Sequence, residues 1–180
     1  VVQYNYREGK ALNKRKEVSI MITYCFDVDG TFYNLYAVKN WLEKLRANDP
    51  SPYIEGNAMV NMKTFDKWIQ EEEKKGNRVH IITWLSKGAD EAFNKKARLA
   101  KIKWIRANLP SLSIAAIHAV PYGTPKHKVL KERSRSMILI DDNEEVGAAW
   151  ETPKQRKHVL PQDFFSSIGL VWDAGAPQTT

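Results

Sequence analysis

The sequence predicts an α/β fold in which a largely parallel β-sheet is covered by helices on both faces. Short apolar runs rich in β-branched and aromatic residues recur along the chain, and amphipathic helical segments alternate with them. Several of the runs end in polar residues suited to the open end of a sheet. With 43% hydrophobic and 27% charged residues in 180, the chain carries enough apolar material for a folded core and is not of disordered composition. One domain is expected, over residues 21–172.

Residues 1–20 have no sustained apolar period, and Arg7, Lys10, Lys14, Arg15 and Lys16 outweigh Glu8 and Glu17. This stretch reads as a basic arm, an added strand or an appended remnant that carries none of the chemistry. The run at 21–26, MITYCF, is the first buried strand and delivers the acidic sequence DVDG to the sheet edge. After it comes an insertion at about 32–59, with a helical stretch at 37–47 and a loop marked by Pro50 and Pro52; it reads as a small lid or cap.

A helix is expected over 60–75, where Met62, Phe65, Trp68 and Ile69 share a face and Gly76 supplies the stop. Residues 79–83 form the next strand. The helix at 89–108 buries Phe93, Ala97, Ala100 and Trp104, and ends before Pro110. Its basic residues Lys95, Lys96, Arg98, Lys101, Lys103 and Arg106 are assigned to the solvated faces. Further strands are expected at 114–120, 137–140 and 168–172, with a helix starting at Lys126 and a flexible tail at 173–180.

Composition limits the partners. The single cysteine, Cys25, has no partner for an internal disulfide or a metal cluster and suits a buried position, in keeping with a reducing compartment. No apolar run reaches the roughly 18–20 residues needed to span a bilayer, and no signal-peptide core is present near residue 1. A cytoplasmic protein without membrane attachment is expected; its oligomeric state is open. The net charge of +7 favours anionic partners, phosphates and nucleic acids among them. His80 and His118 lie within apolar segments and read as core histidines, His127 and His158 as surface ones.

In open parallel sheets ligands bind beyond the carboxyl ends of the strands. Asp27 and Asp29 end the first strand and, two residues apart on extended chain, point the same way. Thr83 ends the second, and Asp141 with Asp142 ends MILIDD. Gly30 lets the chain turn sharply beside a substrate. Each feature has a plainer reading alone: DxDG occurs in acidic turns and calcium loops, a terminal DD can merely solvate a strand end, and a threonine is a common strand residue. Their joint, ordered placement favours a site.

FDVDGT at 26–31, IIT at 81–83, Lys126 and ILIDD at 138–142 resemble the four ordered motifs of the haloacid dehalogenase-like hydrolases, over about 115 residues. The resemblance implies a Rossmann-like sheet and a phosphomonoester hydrolase in which Asp27 is the nucleophile that becomes an aspartyl-phosphate. It makes Asp29 the acid that protonates the leaving oxygen and the base that then activates water, with Thr83 and Lys126 binding the transferring phosphoryl group. Lys128 remains the alternative to Lys126. The same resemblance implies Mg2+ held by Asp27, the Asp29 carbonyl and Asp141, with help from Asp142.

The stretches YNLYAVKNWLEKLR, ITWLSK, KWIRANLP and YGTPK resemble small bacteriophage-encoded members often grouped with 5′(3′)-deoxyribonucleotidases, which implies a nucleotide substrate and, for a phage protein, the host cytoplasm. Gly30, Thr31, Tyr33, Tyr36 and Trp84 are the expected substrate contacts. Phe32, Tyr33, Tyr36, Trp41 and Tyr53 can stack on a base or simply pack the lid. Two alternatives stand beside a mononucleotide phosphatase: a phosphatase of nucleic-acid ends, and a catalytically silent nucleotide- or nucleic-acid-binding protein.

Overall fold

The computed structural model describes residues 21–131, 136–151 and 156–175, so the N-terminal arm and the end of the tail lie outside the described residues. In chain order the elements are β1 (Ile22–Phe26), β2 (Tyr33–Asn34), α1 (Trp41–Arg46), α2 (Pro52–Glu55), β3 (Asn57–Ala58), α3 (Met62–Lys74), β4 (Arg78–Trp84) and α4 (Glu91–Asn108). Then follow β5 (Ile117–Val120), β6 (Ser136–Ile140), α5 (Glu144–Trp150), β7 (Arg156–Val159) and α6 (Pro161–Ser167). Five strands form one parallel sheet in the order β5-β4-β1-β6-β7. Phe26 stands opposite both Ile81 and Ile140, so β1 and β6 end level while β4 runs three residues further, to Trp84.

Side-chain alternation along the strands explains the two layers. Phe26, Val79, Ile81 and Ile140 face a core completed by Phe65 and Ile69 of α3, Phe93, Ala97 and Ile105 of α4, and Phe164 and Phe165 of α6. Cys25, Ile82, Met137 and Leu139 face the other way, onto Trp150 of α5 and the segment at Val129 and Leu130. The two long helices begin where side chains satisfy their free N–H groups: Asn61 accepts from the Thr64 N–H at 3.0 Å and Asp90 from the Phe93 N–H at 2.7 Å. The expected fold class is thus present as an α/β parallel sheet with helices on both faces.

Several boundaries differ from expectation. Of 114–120 only Ile117–Val120 is strand, because Ser113 caps a 3-10 turn at Ile114–Ala116. Residues 168–172 are not a strand: the N–H groups of Ile168, Gly169 and Leu170 bond back to carbonyls of α6, and Gly169 takes φ 76° to close it. The edge strand is instead β7, whose sequence RKHV gives little apolar signal. The helix expected at Lys126 is a single 3-10 turn, Lys126–Lys128, so a helix N-terminus contributes nothing there.

The insertion folds as a two-stranded antiparallel ribbon, β2 with β3, enclosing α1 and α2. The tail begins ordered, since the Asp173 N–H donates to the Met59 carbonyl and Asn34 to the Ala174 carbonyl. Among the described residues no helix is long and apolar enough to cross a membrane.

Candidate functional site

The topology creates the crevice. From β1 the chain moves to β4 and β5 through α3 and α4 on one face, then places β6 and β7 on the opposite side of β1 with α5 on the other face. Connections diverge at β1 and β6, and the carboxyl ends of these neighbours are where a parallel sheet opens. Asp27 is the residue after β1 and Asp141 the residue after β6.

Lys126 joins them. Its side chain is buried, and its Nζ donates to Asp27 Oδ1 at 2.6 Å and to Asp141 Oδ2 at 2.7 Å. Asp141 Oδ1 accepts from the Asn143 N–H at 3.0 Å, which fixes the carboxylate against the start of α5. His158 Nε2 donates to the Asp141 carbonyl, 2.8 Å away, with Gly147 beneath its ring; it is half-buried and not the surface residue expected. Lys128, the alternative phosphate lysine, is exposed.

Asp29 belongs to a second cluster. Lys101, which is 2% exposed, donates to Asp29 Oδ2, to Thr83 Oγ1 at 2.9 Å and to the Trp84 carbonyl at 2.9 Å, with the Tyr53 ring 4.6 Å from its Nζ. This corrects the assignment of Lys101 to the solvated face of α4. The readable signal was its spacing: Ala97, Lys101 and Ile105 step by four along the buried stripe, so a lysine there must be paired.

The electrostatics follow from four carboxylates facing two ammonium groups. Burial raises Asp29 above the ordinary carboxylate range and repulsion from Asp27 adds to it, against the pull of Lys101 and Lys126. Asp141 is raised by burial and then by Asp27. Asp142 is pushed up to about 7 by loss of hydration and then by Asp27 and Asp141. Burial alone would lower Lys126, but Asp27 and Asp141 outweigh it and raise the ammonium. Oxygens of Asp27, Asp141 and Asp142 lie within 4.8 Å of one another, a hard donor set able to receive a divalent cation whose charge would offset the excess. The Asp29 carboxylate, turned to Lys101, stands apart from that set. Gly30 has φ 80°, and a Cβ there would collide with the Asp142 carboxylate, so both conformation and space require glycine.

Above these groups lies a cavity of about 600 Å³, a size suited to a small ligand. It is lined by Asp27, Asp29, Lys126, Asp141 and Asp142, by Tyr36, Trp41 and Tyr53 of the insertion, and by Trp84, Lys87 and Tyr122. Tyr36 and Trp41 meet edge-on at 5.3 Å, and Trp84 and Tyr122 lie 4.9 Å apart. Of the expected substrate contacts, Tyr36 and Trp84 reach the cavity. Tyr33 does not: it is buried against Trp104, its hydroxyl donating to the Pro52 carbonyl and accepting from the Gly56 N–H. Phe32 is likewise core, stacked beside Phe65 and Trp104. Thr31 is fully buried, its carbonyl accepting from the Trp172 indole. Thr83 is fully buried as well, its hydroxyl engaged by Lys101.

His80 and His118, away from this cavity, face each other at 3.1 Å and are half-buried, so they are paired as expected but lie at the margin of the core. No protein-family model matches the chain, and no curated protein matches it significantly.

Proposed function

We propose that the protein is a Mg2+-dependent phosphomonoester hydrolase of the haloacid dehalogenase-like type, acting through an aspartyl-phosphate on nucleoside monophosphates. The observation that carries the reading is the buried Lys126 bridging Asp27 and Asp141 at adjacent strand ends, with Asp29 two residues on and separately paired. In this reading an Asp27 oxygen attacks phosphorus, the ester P–O bond breaks, and the departing oxygen takes a proton from Asp29. Water then attacks the aspartyl-phosphate, Asp29 receives its proton, and inorganic phosphate leaves.

Lys126 keeps one Asp27 oxygen paired and leaves the other for attack, while its charge offsets that of the phosphoryl oxygens. Asp27, Asp141 and Asp142 would hold Mg2+, which supplies charge neutralisation when bound. The insertion serves as a small cap whose Tyr36 and Trp41, together with Trp84 and Tyr122, offer flat surfaces to a base. Such stacking contributes about 1–3 kcal/mol per base.

The test is a phosphate-release panel of nucleoside monophosphates and 3′-phosphorylated oligonucleotides, with Mg2+ and with EDTA, on wild type and Asp27→Asn. Release by wild type in Mg2+ that disappears with EDTA and in the variant is expected. Wild-type rates in Asp27→Asn would overturn the mechanism, and undiminished rates in EDTA would overturn the metal requirement. Faster release from oligonucleotides would move the substrate to nucleic-acid ends.

A further inference from the structure

The cavity holds two cations that the proposed hydrolysis leaves without a role. Arg46, in the last turn of α1, and Lys87, in the loop after β4, both line it, one from the insertion and one from the body of the fold. A single phosphate monoester is already matched by Lys126 and by the cation that Asp27, Asp141 and Asp142 would hold. A nucleobase brings no negative charge, so a nucleoside monophosphate gives Arg46 and Lys87 nothing to meet.

Two observations set this pair apart from ordinary solvated charge. Lys44, in the same turn of α1 but not lining the cavity, is paired with Glu55 at 2.5 Å, whereas the side chain of Arg46 has no hydrogen bond or ion pair among the described residues. Lys87 is held in place without using its donors. Its Nζ lies 5.4 Å from the centroid of Tyr122, which is 4.9 Å from Trp84, and Trp84 in turn is 5.4 Å from Lys126 Nζ. The Trp84 indole is fixed by its 2.8 Å bond to the Thr124 carbonyl. A cation–π contact engages no N–H, so all three donors of Lys87 stay available. The row therefore carries an ammonium at each end with two aromatic rings between, one ammonium beside Asp27 and the other away from it.

We propose that Arg46 and Lys87 form a subsite for a second phosphate, and that the substrate is a nucleotide with two phosphates on one sugar, a nucleoside 3′,5′-bisphosphate. One phosphate meets Asp27 and Lys126, the base lies against Trp84 and Tyr122, and the other phosphate is met by Arg46 and Lys87. The planar fork of a guanidinium suits two phosphate oxygens, and the ammonium adds a point charge. This rests on the phosphatase reading and extends its substrate. The bond that breaks is the ester P–O bond of the phosphate at Asp27, and the phosphate at Arg46 and Lys87 stays on the product.

The test compares kcat/KM on thymidine 5′-monophosphate, thymidine 3′-monophosphate, thymidine 3′,5′-bisphosphate and a thymidine dinucleotide with one terminal phosphate, whose second phosphate is a backbone diester. Wild type is expected to prefer the bisphosphate over the better monophosphate by about tenfold, at about threefold for each exposed ion pair. Arg46→Gln and Lys87→Gln should each reduce that preference by about threefold and the double variant should remove it, whereas Lys87→Arg should keep it. A preference no larger than the factor of about two that a second ester supplies by number, or one that survives in the double variant, would overturn the inference and leave the phosphatase reading intact. Equal losses on mono- and bisphosphate in the variants would do the same. Faster release from the dinucleotide than from the bisphosphate would overturn the bisphosphate assignment and give the pair to a backbone phosphodiester. A wild type that releases phosphate from none of the four would overturn both readings together.

Discussion

Replacing Asp142 by asparagine should stabilise the metal-free protein near neutral pH and much less under acid conditions. The carboxyl is pushed from its ordinary 3.8 up to about 7, first by burial and then by repulsion from Asp27 and Asp141. Between those values the folded chain keeps a proton that the unfolded chain has released. Unfolding then loses protons, so stability falls as pH rises through that window and the penalty is complete above it. A displacement of this size would correspond to about 4 kcal/mol if it were fully expressed. The carboxyl loses part of its hydration although Asp142 as a residue is exposed, so solvent screening reduces the figure to about 1–2 kcal/mol.

Asparagine keeps the shape beside Gly30 and removes the charge. The assay is urea denaturation of wild type and Asp142→Asn in EDTA at about pH 8 and about pH 4.5. The variant should gain about 1–2 kcal/mol at the higher pH and less than half of that at the lower. Saturating Mg2+ should shrink or reverse the gain, because a cation in the three-aspartate cluster makes the third charge favourable. A destabilised variant at the higher pH in EDTA, or a gain independent of pH, would refute the electrostatic reasoning.

Gly30→Ala should cost at least about 1–2 kcal/mol in the same denaturation assay, because φ 80° is unfavourable for alanine and its Cβ meets the Asp142 carboxylate. A neutral effect would mean that the turn relaxes freely. The exposed residues Lys95, Lys96, Arg98, Lys103 and Arg106 on α4 are expected to act as a solvated face. kcat/KM should therefore fall equally and shallowly with salt on a mononucleotide and on a 3′-phosphorylated oligonucleotide; a much steeper fall on the oligonucleotide would make this face a nucleic-acid surface.

How much of this could be read beforehand depended on whether a residue's environment is set locally. β1, β4 and β6 announce themselves because they are buried on both faces and so read as continuous apolar runs, and α3 and α4 because one stripe is apolar. β7 is an edge strand of Arg156, Lys157, His158 and Val159, where only one neighbour is paired and the sequence need not be apolar. Residues 168–172 mislead for the opposite reason: Leu170 is buried by a helix-terminating turn and not by sheet pairing. The insertion's aromatics divide between core and cavity by tertiary packing alone, which is why Tyr33 and Tyr36, three residues apart, have different surroundings. Residue type alone places Lys101 at the surface, whereas its position on the buried stripe of α4 carries the better information.

The pairing of two lysines with two neighbouring aspartates bears on why the site is asymmetric. Asp27 and Asp29 leave the same strand two residues apart, and extended backbone alone would give them similar surroundings. Lys126 arrives from the connection between β5 and β6 and ties Asp27 to Asp141 across to β6, whereas Lys101 arrives from α4 and ties Asp29 to the end of β4. The two carboxylates are thereby drawn to opposite sides of β1, one into the three-aspartate cluster and the other beside Thr83. A proposed nucleophile must stay anionic and close to positive charge, while a proposed acid and base needs one oxygen able to gain and lose a proton. That division is achieved by the long-range origin of each lysine, since β1 itself supplies only the two-residue spacing. The order of the strands, with β1 flanked by both β4 and β6, is what makes two opposed partners available to one short acidic motif.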